Sequence, residues 1–226
     1  MLFTGFGDGA VAFYEELAAD NTREWWLANK DRYERDVRGP LERLLEDLRP
    51  EFGEAKVFRP NRDTRFSADK SPYKTAAAAV VGEGGGPGGS HGHTLYVQLS
   101  ADGLMVGGGA YVPATDQLAR LRAAIADDVT GAELEAIVAA IEAAGGEVGA
   151  RDEVKTAPRG YRADHPRIGL LRWKGIIGWF DHPAGPWLRT PEARDRVAAG
   201  WRALAPLNDW LAANVGPSDL PATARR

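Results

Sequence analysis

The chain has 226 residues, of which 44% are apolar and 27% charged, with a formal net charge of -4. That length and apolar share suffice for a real core, and so acidic a balance gives no bulk attraction to nucleic acid or anionic lipid. There are no cysteines, which excludes disulfides, thiol nucleophiles and Cys-ligated zinc or iron–sulfur.

No apolar run approaches the roughly 20 residues of a membrane-crossing helix. Residues 1–10 lack the basic start of a signal peptide. These features predict a soluble, cytoplasmic protein with no membrane partner.

Residues 8–19 read as a helix through Tyr14 and Leu17. Asn21, with Glu24 three residues on, reads as the cap of a second helix carrying Trp26, Tyr33 and Val37. Gly39-Pro40 predicts an interruption. A third helix follows, with Leu41, Leu44, Leu45 and Leu48 on one face. Residues 56–58 and 75–81 predict strands on either side of a polar loop, although four alanines weaken the second. Residues 82–93 read as a flexible glycine-rich connection.

Residues 94–99 and 104–106 predict a hairpin, and Gly107-Gly108-Gly109 a sharp turn or a close approach. A helix is expected over 115–127. Another, opened by a Thr130/Glu133 capping box, carries Leu134, Ile137, Val138 and Ile141. A strand over 148–154, a polar segment over 155–166, a short helix and a strand over 176–180 come next. Thr190-Pro191-Glu192 starts the last long helix. Helices, then hairpins, then helices predict an α+β fold with a mainly antiparallel sheet. We expect one domain over 1–216 and a frayed tail over 217–226.

The loop over residues 59–74 carries Arg59, Arg62, Arg65, Lys70 and Lys74 against Asp63 and Asp69. A long polar stretch without periodicity is usually functional or disordered. The aromatics Phe58, Phe66 and Tyr73 argue for order. Arginine presents five donors in a planar fork that suits phosphate or carboxylate. Arg62, Arg65, Lys70 and Lys74 are therefore candidate anion holders, with Tyr73 beside them. Asp63 is the group that would orient the guanidinium groups.

The segment over 155–166 has similar chemistry. Arg159 and Tyr161 are candidate wall residues there, and His165 is a candidate proton carrier alongside Asp63. Other motifs fail on context. Residues 84–89 satisfy G-x-G-x-x-G, but no helix follows to hold a pyrophosphate. Residues 88–92 satisfy G-x-S-x-G outside any strand–turn–helix. His91 and His93 lack further ligands at metal spacing, so no metal site is expected.

Several blocks resemble one family. They are F-Y-E-E-L-A-A-D-N-T-R-E-W-W-L-A-N-K-D-R-Y-E near the start, R-D-T-R-F-S-A-D-K-S-P-Y-K in the loop, and the later G-G-G-A-Y-V-P, K-T-A-P-R-G-Y-R-A-D-H-P and L-L-R-W-K-G. Together they are similar to the family catalogued as domain of unknown function 2461, over about residues 3–211. The resemblance implies one domain and no assigned activity, cofactor or catalytic residue.

Three readings follow. The first is a binder of a phosphorylated or carboxylated small molecule; if it is an enzyme, its substrate is anionic. The second is a structural or protein-interaction domain whose basic loop is clamped by ion pairs to its own helices. The third and weakest is single-stranded nucleic-acid binding with Phe66 and Tyr73 as stacking surfaces, which the acidic net charge disfavours. The sequence names no cofactor and no oligomeric state.

Overall fold

The structure, a computed structural model, describes residues 2–65, 68–82 and 94–221. The glycine motifs over 84–92, His91, His93 and Phe66 lie outside the described residues.

Helix α1 spans Ala10–Ala19 and buries Phe13, Tyr14 and Leu17. Helix α2 spans Arg23–Arg32, and its cap is Thr22, whose hydroxyl accepts the Trp25 N–H at 3.2 Å. Asn21, the expected cap, is spent elsewhere: its side chain binds the Tyr73 backbone. A π-helical turn over Tyr33–Arg38 carries the chain from α2 into α3, Gly39–Phe52. The expected break at Gly39-Pro40 is therefore absent. Pro40 falls in the first turn of α3, after the widened turn, where its missing N–H costs little. A side chain at 39 would meet the Glu34 carbonyl at 2.9 Å, so glycine fits there. All four leucines of the predicted stripe are buried.

Six strands form one antiparallel sheet: β1 Ala55–Val57, β2 Ala76–Val81, β3 Thr94–Ser100, β4 Gly103–Ala110, β5 Glu147–Gly149 and β6 Ile176–Pro183. Their order is β1-β2-β3-β4-β6-β5. With the helices this is an α+β fold. Gly107, Gly108 and Gly109 lie inside β4 and make a close approach, with no sharp turn. Gly109 has φ +121, and a Cβ there would sit 2.4 Å from the Ile176 carbonyl oxygen. The strand expected over 148–154 is shorter, and Glu153 forms only a single bridge with Trp173.

Helix α4 spans Thr115–Ala126 and α5 Asp128–Ala143. Asp127, rather than Thr130, caps α5; its carboxylate accepts the Val129 and Thr130 N–H groups, each at 2.9 Å. The Thr130 hydroxyl donates instead to the Ala124 carbonyl at 2.7 Å. Helix α6 is short, Ile168–Arg172, and α7 runs over Glu192–Asn214 straight through Pro206.

The chain groups into two compact units. The first holds Met1–Val81, Tyr96–Val106 and Asp181–Ala199; the second holds Gly82–Leu95, Gly107–Phe180 and Gly200–Arg226. In the first, Phe13 is fully buried, and its ring centroid lies 5.2–5.8 Å from those of Tyr14, Trp25, Trp26 and Tyr33. In the second, Leu121, Ile125, Leu134, Ile141, Leu207 and Trp210 share a buried cluster. The start of the segment expected to fray is held to α4. Gln117 donates to the Gly216 carbonyl at 2.8 Å, and the Ser218 hydroxyl donates to Asp116 at 2.8 Å.

Candidate functional site

The loop over 59–74 leaves the edge strand β1 and returns into β2. Val57 pairs with Ala79, and the next pair is Asn61 with Tyr73. Between these pairs lie residues 58–60 on the outgoing side and 74–78 on the returning side, so the returning chain bulges between Lys74 and Ala78. Bulges at sheet edges commonly re-aim a side chain. The Asn61–Tyr73 bridge is flanked by two hydrogen bonds, Arg62 N–H to the Pro72 carbonyl (2.9 Å) and Lys74 N–H to the Pro60 carbonyl (2.8 Å). Both prolines fit because the bridge asks only for their carbonyls. Alternation about the bridge puts Arg62 and Lys74 on one face and Tyr73 on the other.

Tyr73 is the pin. Its ring stacks on Trp26 at 4.3 Å and 12°. Its backbone is gripped by Asn21, which accepts the Tyr73 N–H at 3.1 Å and donates to the Tyr73 carbonyl at 3.0 Å. The aromatic and amide together tie the loop to the start of α2.

Two ion pairs among the described residues lie within the loop. Arg62 donates to Asp69. The other Asp69 oxygen accepts the Ser71 hydroxyl (2.6 Å) and N–H (2.9 Å). The Ser71 hydroxyl first, and then Arg62, hold the Asp69 carboxyl well below the usual carboxylate range. Asp63 and Arg65 form a two-pronged pair at 3.0 and 2.7 Å, which lowers Asp63 to about 2. Lys70 donates to the Thr64 carbonyl at 3.0 Å. Among the described residues, Arg62 and Arg65 take these acids from seven and two residues along the loop itself.

Beside the loop lies a cleft of about 520 Å³. Its lining includes Arg62, Lys74, Phe58, Asn21, Tyr96 and Gln98. Ala76 and Ala78 from β2 also line it. They share a face, as do Tyr96 and Gln98 of β3. Two alanines side by side on one strand face leave room that larger residues would fill. The Tyr96 hydroxyl donates to Gln98 Oε1 at 2.7 Å.

Lys74 is half-buried, and its Nζ lies 5.0 Å from the centre of the Phe58 ring. Among the described residues no carboxylate pairs with it. Burial, and then the Arg59 guanidinium, hold Lys74 below the usual lysine range.

Of the residues singled out in the sequence, the cleft brings together Arg62, Tyr73 and Lys74. Arg65, Asp63 and Lys70 are exposed on the loop and do not line it. Arg159, Tyr161 and His165 belong to the second unit, and the cleft is built without them. There Arg162 pairs with Asp164 at 2.6 Å, Tyr161 packs on the apolar cluster, and His165 Nδ1 accepts the Arg167 N–H at 3.0 Å. Asn21, Tyr96 and Gln98 were missed. The paired alternation of Ala76/Ala78 and Tyr96/Gln98 was the signal that could have found the wall.

Among the described residues no group of three His, Asp or Glu side chains is placed to hold a metal. No helix among them is long and apolar enough to cross a membrane.

A family model described as conserved hypothetical protein (DUF2461) matches residues 9–210. Neither a curated protein nor a solved structure matches the chain.

Proposed function

We propose, for a chain that belongs to the DUF2461 family of conserved hypothetical proteins, that the cleft beside the loop binds a small phosphorylated or carboxylated molecule. The observation that carries this reading is Lys74, a half-buried ammonium facing the cleft that pairs with no carboxylate among the described residues; Asp69, which also lines the cleft, is taken up by Arg62 and Ser71. A cation held out of water without a counter-charge favours any anion that can reach it. Arg62 sits on the same face of the loop. Asp69 occupies one of its guanidinium nitrogens and orients the rest of the fork. Asn21, Gln98 and Tyr96 supply neutral hydrogen-bonding groups, and Phe58 an apolar wall.

The test is a thermal-shift and calorimetric series with inorganic phosphate, pyrophosphate, a nucleoside monophosphate and succinate. We expect at least one of these to stabilise the protein, and Lys74→Met to lose that effect while keeping its own melting point. Equal response of wild type and Lys74→Met would overturn the proposal.

One observation favours a second reading. Arg62–Asp69 and Arg65–Asp63 brace the loop from within, as a structural or protein-interaction surface would require. On that reading no anion in the series stabilises the protein, and Arg62→Ala lowers the melting point.

A further inference from the structure

We propose that Lys74 is a reactive amine that condenses with the carbonyl group of an anionic aldehyde or keto compound held in the cleft. This deepens the anion-binding reading and rests on it.

The chain has six lysines: Lys30, Lys56, Lys70, Lys74, Lys155 and Lys174. Five are exposed, and of these Lys70 is tied to the Thr64 carbonyl and Lys174 to Asp152 at 2.7 Å. Lys74 differs from all of them. It is half-buried, it lines a cleft large enough for a small molecule, and its amine lies against the Phe58 ring instead of a carboxylate. A lysine becomes a nucleophile when burial or a second cation disfavours its ammonium form. Both causes act on Lys74, burial first and then Arg59. Alternation about the Asn61–Tyr73 bridge places it on the same face as Arg62, so an anionic tail held by Arg62 can present a carbonyl carbon to the amine.

The step balances without any further reactant. The ammonium gives one proton to solvent, and the free amine attacks the carbonyl carbon. A carbon–nitrogen bond forms and the carbon–oxygen bond breaks. The oxygen leaves as water with the two remaining amine hydrogens, and the product is an imine.

The probe is pyridoxal 5′-phosphate, which joins an aldehyde to a phosphate, with pyridoxine 5′-phosphate as the control that has the phosphate but no carbonyl. Full-length protein is mixed with a stoichiometric amount of the aldehyde and reduced with borohydride. The adduct is then mapped by peptide mass spectrometry. We expect several-fold more adduct on Lys74 than on any other lysine. Excess pyridoxine 5′-phosphate should block it, and Lys74→Arg should lose it while still binding the control compound. Adduct spread over the five exposed lysines, or absent from Lys74, would overturn the proposal.

The two readings fail separately. If pyridoxine 5′-phosphate stabilises wild type but not Lys74→Met, and Lys74 nevertheless takes no adduct, the anion site stands and the reactive amine is wrong. If neither compound binds, the anion site itself is wrong and this proposal falls with it.

Discussion

The Tyr73 ring lies flat on Trp26, with centroids 4.3 Å apart and planes 12° from parallel. That contact joins the loop to α2 across 47 residues of sequence, and it is buried on the Tyr73 side. Ordering a loop of this length costs conformational entropy, and the stack is one of the contacts that offset it. Tyr73→Ala should lower the unfolding free energy by about 3–5 kcal/mol, as other buried aromatic truncations do. Tyr73→Phe keeps the ring and should stay close to wild type. Urea denaturation of both variants checks this, and a Tyr73→Ala variant as stable as wild type would mean the stack does not hold the loop.

Asn21 holds the same residue by its backbone, with one hydrogen bond in each direction. Asn21→Ala leaves a partly buried N–H and a carbonyl without partners, at roughly 1–3 kcal/mol. Asn21→Asp keeps the acceptor and loses the donor, so it should fall between. Amide hydrogen exchange at Tyr73 gives the local readout: protection should drop in Asn21→Ala and only partly in Asn21→Asp.

Arg65 separates the loop's surface from its cleft. Its side chain is 77% exposed and grips Asp63 two residues away. Exposed ion pairs contribute little to stability. Arg65→Ala should therefore leave the melting point almost unchanged and leave phosphate binding in the cleft intact. A large drop in melting point would mean that Arg65 clamps the fold. Loss of binding would move the site from the cleft to the loop surface.

Some of this was legible in the chain. The leucine stripe of α3 and the α+β order follow from periodicity, which packing reinforces. The loop stood out because a net positive, aromatic-pinned stretch in an acidic chain has few other readings. The cleft does not stand out, because its wall comes from alternate residues of β2 and β3, which residues 82–93 separate in sequence. Its alanines also look like poor strand formers rather than like space. Asn21 reads as a cap because an Asn before a helix usually caps it, whereas its actual partner, the Tyr73 backbone, is 52 residues away. Pro40 reads as a break because the π turn ahead of it has no sequence signature.

Ala76 tests whether the cleft's room matters. It lines the cleft from β2, and strands favour β-branched residues. Ala76→Val should leave the fold as stable as wild type or slightly more so, while its two added methyl groups intrude on the cleft. We expect weaker binding of pyrophosphate by isothermal titration, with the smallest anion, phosphate, affected least. Equal weakening for both anions would mean that the substitution disturbs Lys74 or Arg62 rather than the available volume.

His182 gives a pH dependence that is independent of the cleft. Its Nε2 is buried without a partner among the described residues. Burial first, and then Arg196, hold its pKa below the usual 6.5, with Asp181 opposing. The folded state therefore keeps His182 neutral where the unfolded chain has begun to take up a proton. Above the unfolded pKa of about 6.5 both states are neutral, and the group adds no pH dependence. As pH falls below that value the unfolded state binds the proton first. Stability is then lost progressively until the depressed folded pKa is reached. Urea midpoints measured from pH 7.5 to 5.5 should decline in wild type and decline less in His182→Gln, whose amide does not titrate. Parallel profiles for the two proteins would show that the folded imidazole takes up its proton as readily as the unfolded one.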